Sequence, residues 1–400
     1  MASNERRYRI LLASDPGPVP LRRPRARHTV AVETPLVAVL GGGQLGRMLG
    51  LAAIPLGVRC RFLDPVAGAP AEAVGPLVVG PLGDPDALAT VSAGATVVTY
   101  EWEGVPAEAA RTLHEQIAVR PGWRALAVAQ DRLEEKTAFR RLGIGVPEFA
   151  AVDDRADLDA ALTAIGTPAV CKTRRGGYDG KGQFVLRSPA DADAAFTALG
   201  GVPLILEALV PFDREVSVIA ARGADGDVRC FPLVENLHRD GILRLSRAPA
   251  PGLDAATQAA GEAIAHRLLD DLDYVGVLTV ELFDVGGTLL ANEIAPRVHN
   301  SGHWTIEGAE TSQFEQHLRA VLGWPLGSPA VRGHVAMLNA IGALPPREAV
   351  LAVPGARFHD YGKSARPGRK VGHVTVVADT ADALEERLAT LLAIAPGTLG

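Results

Sequence analysis

Short, unbroken apolar runs alternate along the first third of the chain with stretches in which apolar residues return every three or four positions. Residues 37–40 are an apolar run, Gly41-x-Gly43-x-x-Gly46 follows at once, and an apolar-rich stretch continues to Ala53. That order predicts a buried strand, a tight turn and a helix. Strand-like runs at 58–63, 95–100 and 117–119 and helical patterns at 84–93 and 107–115 repeat it, which predicts a parallel sheet with helices on its faces. A charged amphipathic pattern over 131–142 predicts a helix that ends at 143–147, and further helices are expected at 153–165 and 191–199. Strands are expected at 170–172, 184–186 and 204–207. Beyond them the period changes to two: residues 214–220 alternate and should pair with 228–233 across a turn at 223–226. A helix at 255–269, a hairpin of 277–283 with 289–294, a helix at 311–321, strands at 334–341 and 371–377 and a helix at 381–392 complete the expectation.

The chain therefore reads as α/β passing into α+β. The expected units are a leader over 1–35, a Rossmann-like domain over 36–135, a central domain over 136–330 and a small domain over 331–400. The leader carries seven arginines (Arg6, Arg7, Arg9, Arg22, Arg23, Arg25 and Arg27) among prolines. It is expected to be disordered or loosely attached, because it has no apolar segment of the kind a secretory signal needs and its prolines spoil an amphipathic helix. A translation start placed upstream of the folded protein would account for it equally.

Composition narrows the function. The net charge of −6 and an aromatic content of 5% argue against a nucleic-acid surface. No apolar run reaches the roughly 18 residues of a membrane helix. Cys60, Cys171 and Cys230 are odd in number and too scattered for a zinc site, so a reduced, cytoplasmic setting is expected.

The densest chemistry lies between residues 170 and 186. Gly176, Gly177, Gly180 and Gly182 interrupt two strands, and Lys172, Arg174, Arg175 and Lys181 add positive charge. Such a loop lets backbone close over an anion, because no Cβ stands in the way. The expected role is a flap over nucleotide phosphates; a plain hairpin with a basic tip is the alternative. It is not a Walker loop. In the hairpin around Gly286 and Gly287, a strict two-residue turn would set Glu281 opposite Asn292, whereas a three-residue loop or a bulge sets it opposite Glu293. Facing carboxylates are unfavourable unless a cation lies between them, so a bulge or longer loop with Mg²⁺ between the two acids is expected. The loop after the hairpin gathers Arg297, His299, Asn300, Ser301 and His303, and residues 361–373 form a basic loop punctuated by Gly and Pro. His317 is expected on a helix face rather than as a ligand.

Two features keep other readings open. The Gly41 to Gly46 spacing, with Asp64 about twenty residues on, matches a dinucleotide fingerprint, although Gln44 and Arg47 would serve any phosphate-bearing molecule at that helix start. Glu101 and Glu103 fall just past a strand end, where ligands commonly bind in such sheets.

Taken together the segments resemble the ATP-grasp superfamily, and within it the N5-carboxyaminoimidazole ribonucleotide synthetases. The resemblance rests on Gly41-Gly-Gly-Gln-Leu-Gly-Arg-Met48, Gln130-Asp-Arg-Leu-Glu-Glu-Lys136, Gly176-Gly-Tyr-Asp-Gly-Lys-Gly-Gln183, Glu235-Asn-Leu-His-Arg-Asp-Gly-Ile242, Asn292-Glu-Ile-Ala-Pro-Arg-Val-His-Asn-Ser-Gly-His-Trp304 and Arg366-Pro-Gly-Arg-Lys-Val-Gly-His373, in family order over about residues 36–392. It implies an ATP-grasp fold with a pre-ATP-grasp domain and a small C-terminal domain. It implies a carbon–nitrogen ligase of de novo purine biosynthesis, with ATP, Mg²⁺, bicarbonate and aminoimidazole ribonucleotide as ligands and a homodimer as the assembly. By match, Arg132, Lys172, Gly177, Tyr178, Asp179, Gly180, Lys181, Gly182, Gln183, Glu207, Ala208, Leu209, Val210, Glu215 and His238 would hold ATP. Glu207 to Val210 would use backbone groups on adenine, and Glu215 would take the ribose hydroxyls. Glu281 and Glu293, with Asn292 nearby, would hold the metal. Tyr178, Asp179, Lys181, Arg297 and His299 would serve the chemistry, and Gln44, Asn300, Ser301, Lys363, Arg369 and Lys370 the ribonucleotide and bicarbonate. Lys181 stands where the flap often has Arg, which reduces a forked contact to a point contact. Ala295 stands where many wider ATP-grasp enzymes have Asn, so metal binding leans on the two glutamates. Another ATP-grasp ligase, a dinucleotide-dependent oxidoreductase and a non-catalytic nucleotide-binding protein are the competing classes.

Overall fold

The computed structural model describes residues 34–177 and 181–399. The expected leader up to residue 33, and Tyr178, Asp179 and Gly180 of the flap, lie outside the described residues.

The first unit is built on β1 (Leu36–Leu40), α1 (Gln44–Ala53), β2 (Arg59–Asp64), β3 (Leu77–Val79), α2 (Pro85–Ser92), β4 (Val97–Tyr100), α3 (Ala107–His114) and α4 (Trp123–Ala129). The four strands run parallel in the order β3-β2-β1-β4. Every residue of β1 is buried, as its unbroken apolar run requires of a central strand covered on both faces. The strand expected at 117–119 shrinks to a single bridge between Val119 and Val98, flanked by the Val98 N–H to Ala118 O and Arg120 N–H to Val98 O bonds.

Next come α5 (Arg132–Arg141) and a four-stranded antiparallel sheet. It is formed by β5 (Phe149–Val152), β6 (Ala169–Thr173), β7 (Gln183–Leu186) and β8 (Leu204–Ala208), in the order β5-β8-β6-β7. Helices α6 (Arg155–Ile165) and α7 (Ala192–Leu199) cover it through Leu158, Leu162 and Ala195, which pack with Cys171, Leu204 and Leu206. The glycine loop joins β6 to β7 and so hangs from one edge of this sheet.

The remaining strands form one nine-stranded antiparallel sheet. They are β9 (Arg214–Arg222), β10 (Val228–Cys230), β11 (Val234–Arg239), β12 (Ile242–Ala248), β13 (Gly276–Val285), β14 (Thr288–Ala295), β15 (His334–Ile341), β16 (Ala356–Asp360) and β17 (Lys370–Ala378). The order is β14-β13-β9-β11-β12-β15-β17-β16, with β10 beside β9. Helices α8 (Ala255–Asp271), α9 (Thr305–Gly308), α10 (Gln313–Leu322), α11 (Arg347–Leu351) and α12 (Ala381–Ile394) complete this part. Residues 331–399 thus extend the central sheet through the β12–β15 pair, Leu245 facing Leu338 and Ala248 facing Val335.

The β13–β14 hairpin resolves the register question. Val285 faces Thr288 across a two-residue Gly286–Gly287 turn, and both glycines have positive φ, 59° and 85°, as a twist-matched hairpin turn demands. A bulge then shifts the register between Leu282, which faces Ala291, and Glu281, which faces Glu293. Asn292 is the extra residue. The bulge, not a longer loop, brings the acids face to face.

Candidate active site

The glycine fingerprint at the start of α1 is filled by the protein itself. Glu101, at the end of β4, is buried, and its carboxylate accepts the N–H groups of Gly43 (2.8 Å) and Gly46 (3.1 Å). A Cβ on Gly41 would sit 2.7 Å from the Glu101 side chain and one on Gly43 2.8 Å from its Oε1, so these glycines make room for an internal carboxylate. The position where a pyrophosphate would meet the helix start is taken. Asp64 accepts the N–H groups of Gly42 and Val66, both within the loop region, rather than standing free for a ribose. Burial raises the Glu101 pKa, although the two backbone bonds work against it.

The flap base is pinned on both sides. Thr173 N–H donates to Gly182 O (2.8 Å), and Arg132 N–H to Arg174 O (2.9 Å). Arg174 holds Asp131 through two bonds of 3.1 Å, and Arg175 adds a third of 3.1 Å to the same carboxylate. Asp131 also caps α5 by accepting from Leu133 N–H. Two of the four cations expected to face phosphate therefore anchor the flap instead; their neighbour in sequence, Lys172, lines the cleft. Lys172 Nζ lies 2.9 Å from Glu207 Oε2.

Arg132 Nη1 donates to Glu293 Oε2 (2.9 Å), and His299 Nε2 lies 3.3 Å from Glu281 Oε1. Burial and Glu293 lift Glu281 to about 7, while Arg132 holds Glu293 below the usual carboxylate range against the effect of its burial. Without a cation, Glu293 carries its charge against Arg132 and Glu281 is the acid more readily protonated. Asn292 Oδ1, beside them, is buried with no hydrogen-bond partner among the described residues. Two carboxylates and an orphaned amide oxygen suit a hard cation. No group of three or more His, Cys, Asp or Glu side chains arranged to hold a metal occurs among the described residues, so such an ion would take further oxygens from a nucleotide.

Arg297 is bonded to Glu103, and burial with the neighbouring Arg297 and Lys370 charges keeps His299 neutral. Ser301 is fully buried and bonded to His299 Nδ1 (2.9 Å), so it supports His299 and does not line the cleft as expected of a substrate contact. Asn300 makes a closed amide pair with the buried Asn339 of β15, with bonds of 3.0 and 2.7 Å. His238 Nδ1 lies 2.6 Å from Glu215 Oε2. His317 is buried inside the fold: its Nδ1 accepts Val277 N–H, so Nε2 carries the proton donated to Thr99 Oγ1 (2.8 Å).

One cleft of about 760 Å³ lies among these elements. Its wall includes Gln44, Arg132, Lys172, Gly177, Lys181, Gln183, Glu215, His238, Glu281, Asn292, Glu293, Arg297, His299 and Asn300, together with Lys363, Arg369 and Lys370. Lys363 is bonded to Gln44, which joins the basic loop to the start of α1. Gly182, Glu207, Ala208, Leu209 and Val210 do not line it. Ala208 and Leu209 N–H are already bonded to the carbonyls of Glu148 and Pro168, which narrows the backbone groups left for a base. Sequence reasoning missed Phe212 and Phe283, which stack at 4.8 Å on the cleft wall, and the buried Lys136. The strand period marked Phe283 as facing with Glu281, but nothing in it marked Phe212.

Family models match three consecutive parts of the chain: a ribonucleotide synthetase preATP-grasp domain over residues 35–130, an ATP-grasp domain over 137–314 and a phosphoribosylaminoimidazole carboxylase C-terminal domain over 335–387. The chain is 53% identical over 358 residues to N5-carboxyaminoimidazole ribonucleotide synthase of Pseudomonas aeruginosa, covering 90% of this chain and 99% of that protein. The crystal structure of N5-carboxyaminoimidazole ribonucleotide synthetase from Thermus thermophilus superposes with a TM-score of 0.87 at 57% identity, covering 90% of this chain and 98% of that one. The Aspergillus clavatus synthase in complex with ADP and 5-aminoimidazole ribonucleotide gives a TM-score of 0.85 at 33% identity, over 90% and 98% of the two chains. With the facing glutamates, the flap and the basic loop on a single cleft, these matches establish that the chain belongs to the N5-carboxyaminoimidazole ribonucleotide synthase family of ATP-grasp ligases.

Proposed function

We infer that the chain carboxylates 5-aminoimidazole ribonucleotide at the expense of ATP, in purine biosynthesis. The observation that carries the reading is one cleft lined by two charged sets: Lys172, Arg132 and the facing Glu281 and Glu293, and the loop residues Lys363, Arg369 and Lys370. The first set suits a nucleoside triphosphate. The second suits the phosphate of a ribonucleotide, with Arg369 as a fork and the lysines as point charges.

In this reading a bicarbonate oxygen attacks the γ-phosphorus, the bond to the ADP oxygen breaks, and carboxyphosphate forms. The exocyclic amine of the ribonucleotide then attacks the carboxyl carbon, phosphate leaves, and the nitrogen gives up a proton. The protein's task is to neutralise phosphoryl charge, align the partners and exclude water. Lys172 would meet phosphate oxygens, with Lys181, Gln183 and the flap backbone closing over them. Glu215 and His238 would take the ribose, with the base of ATP against the Phe212–Phe283 shelf. Arg297, His299 and Asn300 would hold bicarbonate and the amine in line. Glu281, Glu293 and Asn292 would hold Mg²⁺, which would offset charge on the transferring phosphoryl group. His299, held neutral with Nδ1 accepting from Ser301 N–H, would present its Nε2–H toward the Glu281 side as a hydrogen-bond donor.

A cytoplasmic setting fits the three free cysteines; burial pushes the Cys60 thiol up to about 12 and Cys171 to about 11, which leaves both unreactive. No helix among the described residues is long and apolar enough to cross a membrane. A homodimer fits the exposed Leu51, Ile54, Val66 and Val79 of the first unit, which a second copy would cover. The test is phosphate release from ATP and bicarbonate with and without the ribonucleotide. Release that requires all three substrates supports the reading; hydrolysis indifferent to the ribonucleotide removes it.

A further inference from the structure

Lys136 lies in the Gln130 to Lys136 string and has so far been given no task. It is fully buried on α5, and its ammonium finds three acceptors: Asn292 O (2.7 Å), Ala291 O (3.3 Å) and Glu207 Oε2 (3.3 Å). Glu207 Oε2 is also the partner of Lys172 (2.9 Å), while Glu207 Oε1 is buried with no hydrogen-bond partner among the described residues. One carboxylate oxygen is therefore shared by two lysines. The cluster joins three elements at one point: α5, the C-terminal end of β8, and the β14 residue next to Glu293.

We propose that Lys136 is a positioning residue for nucleotide binding, holding Glu207 so that Lys172 can leave that carboxylate for phosphate. The inference rests on the reading of Lys172 as a phosphate contact. When phosphate draws Lys172 away, a buried carboxylate with no second cation would be left uncompensated, and an uncompensated buried charge is strongly unfavourable. Lys136 removes that penalty, since it stays in place, tied to two carbonyls of β14. Burial alone would raise the Glu207 pKa, but Lys172 and Lys136 together bring it down to about 2, so the carboxylate stays charged throughout the working range.

The test uses the full chain and ADP as the probe, with affinity read by calorimetry and folding by thermal melting. Lys136→Gln removes the charge and leaves a shorter, neutral amide donor. It is expected to weaken ADP by about tenfold or more, as expected when binding must break a sole buried pair. The KM for the ribonucleotide should stay within about twofold, because the Lys136 cluster of Ala291, Asn292 and Glu207 does not include the Lys363, Arg369 and Lys370 loop. Adding Glu207→Gln to Lys136→Gln should recover most of the lost ADP affinity, because no buried anion then competes for Lys172. Unchanged ADP affinity in Lys136→Gln, or losses in the double variant that simply multiply, would overturn the proposal. Should Lys136→Gln fail to fold, Lys136→Arg keeps the charge: ADP affinity within about threefold of the parent is expected, and a folded Arg variant that loses tenfold would overturn it. Lys172→Met tests the underlying reading separately, since full ADP affinity there would remove Lys172 from the phosphates whatever Lys136 does.

Discussion

Glu293 shows how charge at a single position divides between folding and chemistry. It lines the cleft, faces Glu281 and is bonded to Arg132. Glu293→Gln removes a like-charge repulsion along with an ion pair, so its effect on stability should be within about 1 kcal/mol. Turnover should fall by about two to three orders of magnitude, because an oxygen donor to the phosphoryl-bound cation is weakened. Thermal melting and phosphate release on one preparation check both halves, and near-normal turnover would remove the metal from the account. His238 gives a pH signature. Burial opposes its charge, but the Glu215 hydrogen bond and the Glu281 carboxylate raise its pKa above the ordinary imidazole value. A His raised on folding adds stability that is fully present below its unfolded value of about 6.5 and is lost as pH rises through the folded value. Glu215→Gln should therefore lower the thermal midpoint more at pH 6 than at pH 9, by about 1–2 °C in the nucleotide-free protein. An equal loss at both pH values would show that the pair is not charged.

Among the elements, the flap and the hairpin were legible to different depths. The hairpin acids could be paired from sequence because side-chain alternation leaves only a few registers, and an expected repulsion selects among them. Whether a bulge or a longer loop did it was open, since both satisfy the count; Asn292 decided it. In the flap, the glycine spacing was legible but the fate of the arginines was not, because pairing with Asp131 depends on where α5 begins in space. Strands β11, β12 and β16 were missed for a related reason: residues such as Glu235, Asn236 and His238 carry no apolar alternation, and the neighbouring strands hold them. Glu101 looked like an acid awaiting a ligand, and only the chain's return past the glycines shows that it caps them. The flap hinge makes a prediction. Gly182 has φ of 71°, and a Cβ there would meet Thr173 Oγ1 at 2.7 Å. Gly182→Ala should strain the hinge by about 1–3 kcal/mol and raise the KM for ATP by about tenfold or more, with little change in global melting. An unchanged KM would show that the flap closes without this hinge.

For the molecule as a whole, composition and periodicity separated residues 331–400 from what precedes them, yet hydrogen bonding does not. β15 pairs with β12 over Leu245 to Ala248, and β17 continues the same sheet. Asn339 reaches from β15 to Asn300 and to Leu243 O, and Lys363 reaches Gln44 near the start of the chain. Sheet continuity is invisible to a local pattern, since an edge strand and a central one differ only in what lies beside them. A chain ending at residue 330 would expose the β12 edge, with Leu243 and Leu245 no longer covered, and an open apolar edge invites pairing with other chains. Such a truncation should accumulate as soluble oligomers or aggregate, and should lose ADP affinity along with ribonucleotide binding. A separable third domain predicts the opposite: a monomeric fragment that still binds ADP and lacks only the ribonucleotide site. Size-exclusion chromatography with ADP titration distinguishes them, and the shared β12–β15 ladder favours the first outcome.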